Sequence, residues 1–459
     1  MKALISLSAL AILSLAGEIF GFKRQTNVLL IIGLLVTLVL NFMDWNTNIS
    51  YFSNMMQYDN FSVAFTGAIL LCGLAVVLLS PHFFKVVETS ESESYAQLLF
   101  LMAGGLLMVS FSNLSMFFIG IELLSIASYI LAGTDKRNLY SNEAALKYFL
   151  MGAFWSSFLL MGIALVYAAA GSFDLATIAA YSTKGNLSGY FYLGTFFITL
   201  ALAFKVSAAP FHFWAPDVYD GSPTIVTLSM STIVKIAAFG AAARLFSYAL
   251  YPAMPSMSKI WWILTALTLL VGSLGALQQT SFKRLLAYSG VANAGYLLLG
   301  LIAANNNANN ALLFYLIAYS VATISAFAVL LLLSYKYDDE NGEHFKGLAT
   351  TSPWLAAAVT VSMLSLAGIP PTAGFFGKYY LFTQAIAAGH TSLVVVAILS
   401  SIVSIVYYFR IIINMYIPDE NSLPTALELP FVYKIVLIIT SITSLALGIY
   451  PSVLANILK

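Results

Sequence analysis

Apolar residues run in blocks of roughly membrane-spanning length along almost the whole chain, divided by short polar segments. A bilayer core about 30 Å thick needs about 20 mostly apolar residues per helix. Measured this way, spans are predicted near 3–21, 27–43, 60–81, 95–111, 113–132, 143–170, 189–211, 222–247, 259–279, 283–303, 310–335, 353–387, 391–417 and 431–457. That makes about fourteen helices, and the short connections make successive ones antiparallel.

Two spans break the pattern. Segment 353–387 holds 35 residues, which as one helix would measure roughly 52 Å, beyond the hydrocarbon core. Its middle, "LAGIPPTAGFFGKYY", carries Pro370 and Pro371 among glycines, which predicts a discontinuous helix. Segment 189–211 has Pro210 near its end, with Pro216 and Pro223 beyond, and predicts the same device with its break at Pro210. Irregular backbone inside a membrane is tolerated where it is buried in protein or lines a wet cavity. The interrupted helices are the seventh and the twelfth, and their odd offset implies inverted repeats. The expected organisation is an all-α polytopic membrane protein: a three-helix segment at 1–94, a five-helix repeat at 95–250, its inverted partner at 251–418, and a last helix at 419–459. Matching interrupted segments in two halves point to a transport site.

Composition agrees with this class and excludes others. Of 459 residues, 60% are hydrophobic and 8% charged, with mean hydropathy +0.90; a soluble domain carries about 25% charged residues. Twenty basic and nineteen acidic residues leave +1, with no footprint for nucleic acid. The single cysteine, Cys72, excludes an intrachain disulfide and a multi-cysteine metal site, and sits in an apolar run as a packing residue. The opening "MKALISLSALAILSLAG" has signal-peptide features. With so many spans following, an uncleaved first helix is expected.

Basic residues orient the chain. One set of loops holds Lys23, Arg24, Lys85, Lys136, Arg137, Lys283, Arg284, Lys336, Lys346, Arg410 and Lys434; the other holds Lys184 and Lys259, with Lys2 and Lys459 at the termini. The positive-inside rule makes the first set cytoplasmic and both termini periplasmic.

Five ionisable residues fall inside or near the ends of predicted spans: Glu122, Lys147, Lys205, Lys235 and Lys378. A central charge costs roughly 2.5–3.5 kcal/mol on insertion scales, so such residues mark function or mutual pairing. Lys147 stands four residues after Glu143, the spacing of an ordinary helix-surface ion pair. Arg244 and Glu18 lie at span ends as anchors. A proton carrier must load and release near neutral pH. A free lysine releases reluctantly; removal from water eases release, and a nearby carboxylate opposes it. Polar candidates between these stations are Ser207, His212, Ser229, Ser231, Thr232, Tyr288, Ser289, Asn293 and Tyr319. The serines and threonines have an alternative in bonding back to their own helix. His212 is as readily a structural residue as a relay.

The stretches "FIGIELLSIASYIL", "EAALKYFLMGA", "FKVSAAPFHFWAPDVYDGSPTIVT", "SFKRLLAYSGVANAGY" and "LSLAGIPPTAGFFGKYY", in this order, resemble the antiporter-like subunits of the proton-pumping NADH–quinone oxidoreductase, respiratory complex I. The likeness is clearest over about 60–417 and is nearest to the bacterial N-type subunits. It implies fourteen helices whose inverted repeats form two linked proton half-channels. It also implies a functional pair of Glu122 with Lys205, a connection from Lys235 to Lys378, and an additional sixth-span lysine at Lys147. A lysine at position 378 favours an N- or L-type over an M-type subunit, and a chain without a long lateral helix favours N. Where many relatives carry histidine in the tenth span this chain has Asn293, which orders water but does not titrate.

The resemblance implies a non-redox, proton-translocating subunit of the bacterial inner membrane, driven by quinone chemistry elsewhere. With no glycine-rich dinucleotide motif and no cysteine cluster, NADH, FMN, iron–sulfur clusters and quinone are expected in partner subunits. Those partners would be the M-type subunit, small K-type and J-type subunits, and the lateral helix of the L-type subunit. The rival readings are a cation/proton antiporter subunit of the multisubunit type, a subunit of a membrane-bound hydrogenase, and a structural scaffold.

Overall fold

The computed structural model describes residues 1–20, 23–84, 91–184, 187–337, 341–417, 430–455 and 457–458. Of the loop cations that set the predicted orientation, Lys85 and Lys459 lie outside them. The chain begins with α1 (Lys2–Ile19) and α2 (Lys23–Phe42), a β-hairpin of β1 (Ile49–Tyr51) and β2 (Met56–Tyr58), then α3 (Asn60–Phe84), α4 (Glu91–Ser110), α5 (Leu114–Ala132) and α6 (Leu139–Ala170). It continues through the short α7 (Leu175–Ser182), α8 (Gly189–Lys205), α9 (Trp214–Gly221), α10 (Thr224–Ser229) and α11 (Lys235–Arg244). Next come α12 (Ser258–Leu277), α13 (Phe282–Ala303), α14 (Asn306–Tyr337), the single turn α15 (Leu348–Thr351), α16 (Pro353–Ala367) and α17 (Ala373–Ala387). The last elements are α18 (Thr391–Tyr416), α19 (Phe431–Ile449) and the single turn α20 (Ser452–Ala455).

Among the described residues, eleven helices are long and apolar enough to cross a membrane, with three shorter apolar helices beside them. The chain is an all-α, multi-pass membrane protein. Local chemistry sets many helix starts. Asn113, Asn138 and Ser281 accept hydrogen bonds from the free amides that open α5, α6 and α13. Asp174 does the same for α7.

The segment 224–249 is the axis of the bundle, with its most apolar window wholly buried. α3, α4 and α14 pack against it, and α13 and α14 are almost as deeply buried. α1 and α6 bury less than a third of theirs; Leu146, Phe149, Leu150, Phe154 and Met161 of α6 stand outward. A face this apolar belongs against lipid or another protein. Short π-helical turns at Met230–Val234 and Leu245–Ala249 interrupt the central segment.

Both interrupted spans are present, with one correction. α8 ends at Lys205 itself, five positions before Pro210, where the break was expected. Ser207 adopts a left-handed backbone (φ 61°), and the amide of Ala209 is met by Thr268 Oγ1 of α12 at 2.9 Å. The helix therefore stops because the chain turns out of it at Ser207 and finds a partner on another helix; Pro210 lies inside the gap. In 353–387 the break falls where the prolines place it. α16 ends at Ala367, capped by Gly368 in a left-handed conformation at φ 82°, and α17 resumes at Ala373. The hairpin, α7 and the π-turns were not anticipated.

Arg244 does more than anchor a span end. Its guanidinium lies 2.7 Å from the carboxylate of Asp59, just ahead of α3. Burial works to raise the Asp59 carboxyl, but Arg244 and the Ser62 hydroxyl outweigh it and hold that carboxyl below its usual range. Cys72 is buried as expected.

Candidate functional site: a line of buried lysines

Lys205, Lys235 and Lys378 are 4%, 2% and 4% exposed. Among the described residues none has a carboxylate within ion-pair distance, and each amine is held instead by neutral oxygens.

Lys205 is the last residue of α8, where the partial negative charge of a helix C-terminus favours a cation. Its Nζ donates to Ser125 Oγ of α5 at 2.7 Å. The ring centres of Tyr148 and Tyr129 lie 5.6 and 6.0 Å from it, within cation–π range. Tyr148 stacks on Trp214 at 4.6 Å, and the Trp214 indole donates to the carbonyl of Phe204 at 3.1 Å. The first residue of α9 thus caps the end of α8. Glu122 stands three residues before Ser125 on α5 and is half-buried. Its carboxylate accepts from Ser156 Oγ of α6 at 2.5 Å.

Lys147 lies in different company. Its side chain is 44% exposed, and its amine meets Glu143 at 2.6 Å, as the spacing predicts, and Asp217 of α9 at 3.3 Å. Arg284 of α13 meets Asp217 at 3.0 Å and Asp220 at 3.4 Å. Lys283 was expected in a loop, but it is buried and donates to the carbonyls of Asp220 and Ser222, at 3.1 and 2.6 Å. These charges tie the far end of α9 to α6 and α13. His212 sits inside the first break, buried, its ring 4.4 Å from Phe213 and 6.4 Å from Tyr288. Its Nδ1 and the Ser207 hydroxyl make no hydrogen bond among the described residues.

Lys235 follows the first π-turn, a distortion frequent at functional positions. Its Nζ donates to the carbonyl of Gly290 at 2.5 Å and approaches Tyr319 Oη at 3.4 Å. A Cβ at position 290 would lie 2.8 Å from this amine, so any larger residue there would displace the end of the lysine side chain. Beyond it a polar cluster crosses α13, α14 and α18. Ser289 and Tyr408 share a 2.5 Å hydrogen bond. Asn293 donates to the Ser289 carbonyl at 2.8 Å and accepts from Tyr315 at 2.5 Å. Tyr296 donates to Ser400 at 3.3 Å. Lys378 closes the line: its Nζ donates to the carbonyl of Ala367, the last residue of α16, at 2.9 Å, and to Ser401 Oγ at 3.1 Å, over the face of Tyr296 at 4.4 Å.

Of the polar candidates, Ser229, Ser231 and Thr232 bond back to carbonyls of their own helix. Ser289, Asn293 and Tyr319 join the buried cluster. Sequence reasoning missed Ser125, Ser156, Tyr296, Tyr315, Tyr408, Ser401 and Asp217. Only Ser125 carried a signal, at helical spacing from Glu122. Among the described residues no three His, Cys, Asp or Glu side chains gather as metal ligands.

Comparison with known proteins places this arrangement. Residues 111–404 match the family described as NADH:quinone oxidoreductase/Mrp antiporter, TM. The chain is 42% identical over its full length to all of the NADH-quinone oxidoreductase subunit N of Flavobacterium psychrophilum. It superimposes with a TM-score of 0.85 on a chain of respiratory complex I from Thermus thermophilus, at 34% identity, covering 99% of this chain and 98% of that one. A chain of the Mrp complex from a Dietzia species shares the fold, with a TM-score of 0.88 at 20% identity over 99% of this chain and 95% of that one. This chain belongs to the antiporter-like membrane subunits, and within them to the N subunits of NADH-quinone oxidoreductase.

Proposed function

We propose that the buried line is a proton path: Glu122 and Lys205 form the controlled station, and Lys235 passes protons through the Ser289–Asn293–Tyr315 cluster toward Lys378. The observation that carries this reading is the set of three deeply buried amines held by neutral oxygens. A buried lysine locked to a carboxylate would keep its proton; one held by hydroxyls and carbonyls responds to a charge approaching from elsewhere. At an effective dielectric of 20, a unit charge 4 Å away changes the balance by about 4 kcal/mol. His212 serves as a polar group of the first break, and Lys147 sets the position of α9.

In this reading the chain works as a non-redox subunit of a proton-translocating NADH-quinone oxidoreductase. Quinone chemistry in other subunits drives it, and NADH, FMN and iron–sulfur clusters are held there too. It crosses the bacterial inner membrane fourteen times with periplasmic termini, as inverted five-helix repeats, next to M-, K- and J-type subunits and the lateral helix of an L-type subunit. Lys205→Ala and Lys378→Ala complexes in inverted membrane vesicles test it. Each is expected to assemble and to lose most NADH-driven proton uptake; normal uptake at normal assembly would overturn the reading.

A further inference from the structure

Glu122 and Lys205 do not touch among the described residues, yet their nearest partners face one small space. Ser156 Oγ donates to Glu122 at 2.5 Å, and Ser125 Oγ accepts from Lys205 at 2.7 Å. Ser125 donates in turn to the carbonyl of Ile121. Both serines, with Tyr129, Trp155, Phe204 and Lys205, line a cleft between α5, α6 and α8 with about 10 Å³ open to the centre of a water. That is the room one water needs, and the serine hydroxyls with the Tyr129 phenol supply the polar partners it requires.

We propose that Ser125 and Ser156 are positioning residues that bridge Glu122 to Lys205 through one water in this cleft. This rests on the proton-path reading above. Ser156, which lines the cleft, holds the Glu122 carboxylate, and Ser125, which also lines it, holds the Lys205 amine. A change at Glu122 then reaches Lys205 along hydrogen bonds. The bridge runs helix to helix, since Glu122 and Ser125 come from α5, Ser156 from α6 and Lys205 from α8.

The test is a double-mutant cycle in the assembled complex in inverted vesicles, reading NADH-driven proton uptake per complex. Losing a hydrogen bond to a charged group is expected to lower uptake about tenfold in Ser156→Ala and Ser125→Ala. Ser156→Thr, which keeps the hydroxyl, should recover most of it. In a Glu122→Gln background, Ser156→Ala should lower uptake no further, because a residue acting through Glu122 has nothing left to act on. Multiplicative losses in the double variant would overturn the bridge. So would full uptake in both alanine variants, or a Ser156→Thr complex as impaired as Ser156→Ala. Full uptake in Glu122→Gln and Lys205→Ala would instead sink the proton-path reading itself.

Discussion

The two interrupted spans solve one problem in different ways. Each must end a helix inside the membrane, leaving carbonyls without helical partners, and each places a lysine there. In the first, Trp214 and the turning backbone satisfy the end of α8, so Lys205 is free to face Ser125 on another helix. In the second, Lys378 is itself the cap: five residues into α17, it reaches back to the last carbonyl of α16. Lys205 therefore has one hydroxyl and two distant rings, whereas Lys378 has a carbonyl, a hydroxyl and a close ring. On the proton-path proposal, this contrast makes the first break the switching station and the second a fixed terminus.

The largest expected effect separates the two lysines. Both alanine variants should lower proton uptake by about a hundredfold, the scale of a lost proton-transfer group. Only Lys378→Ala should also lower the heat-unfolding midpoint of the solubilised complex, by the equivalent of about 1–2 kcal/mol. It leaves the Ala367 carbonyl with only a 3.4 Å bond from Ser401. Equal midpoints would erase the contrast.

A smaller effect should follow from crowding the second break. A Cβ at Gly448 of α19 would fall 2.0 Å from the Pro371 carbonyl, so Gly448→Ala is expected to cost about 1–3 kcal/mol by overpacking. The yield of assembled complex reads this, and an unchanged yield would mean the second break can shift. Next in size, Ser401→Ala should lower uptake about twofold, less than Ser125→Ala, because Lys378 retains its carbonyl. A loss as deep as that of Ser125→Ala would make both lysines equally dependent on a hydroxyl. The smallest change is Asp217→Asn. It opens half-exposed ion pairs that hold α9 and is expected to move stability by less than about 1 kcal/mol, with the difference fading in high salt. A larger, salt-independent loss of uptake would show that the charges on α9 govern the first break.

Much of this was legible in the chain. The apolar runs, the break at Pro370 and Pro371 and the buried placement of Lys205, Lys235 and Lys378 all follow from patterns within one segment. Pro210 misled, because proline marks where a helix cannot continue but not where it has already stopped; Ser207 and Thr268 set that point. Lys283 misled in the opposite direction. It lies beside Arg284 at a span edge and reads as a loop cation, but the end of α9 packs over it and supplies carbonyls. Arg244 reads as an anchor in the sequence because Asp59, its partner, is 185 positions away.

What the sequence determined by itself is what depends on neighbours along the chain: membrane class, helix positions and which residues carry charge in apolar surroundings. Hydropathy and helix-breaking are local properties, and 60% hydrophobic content leaves no soluble alternative. Only the tertiary structure decided which oxygens hold each amine, since Lys205 and Ser125 are 80 residues apart and Lys235 and Gly290 are 55. A hydrogen bond is directional and short, so its partner is fixed by how helices pack, and no pattern within a single span records that.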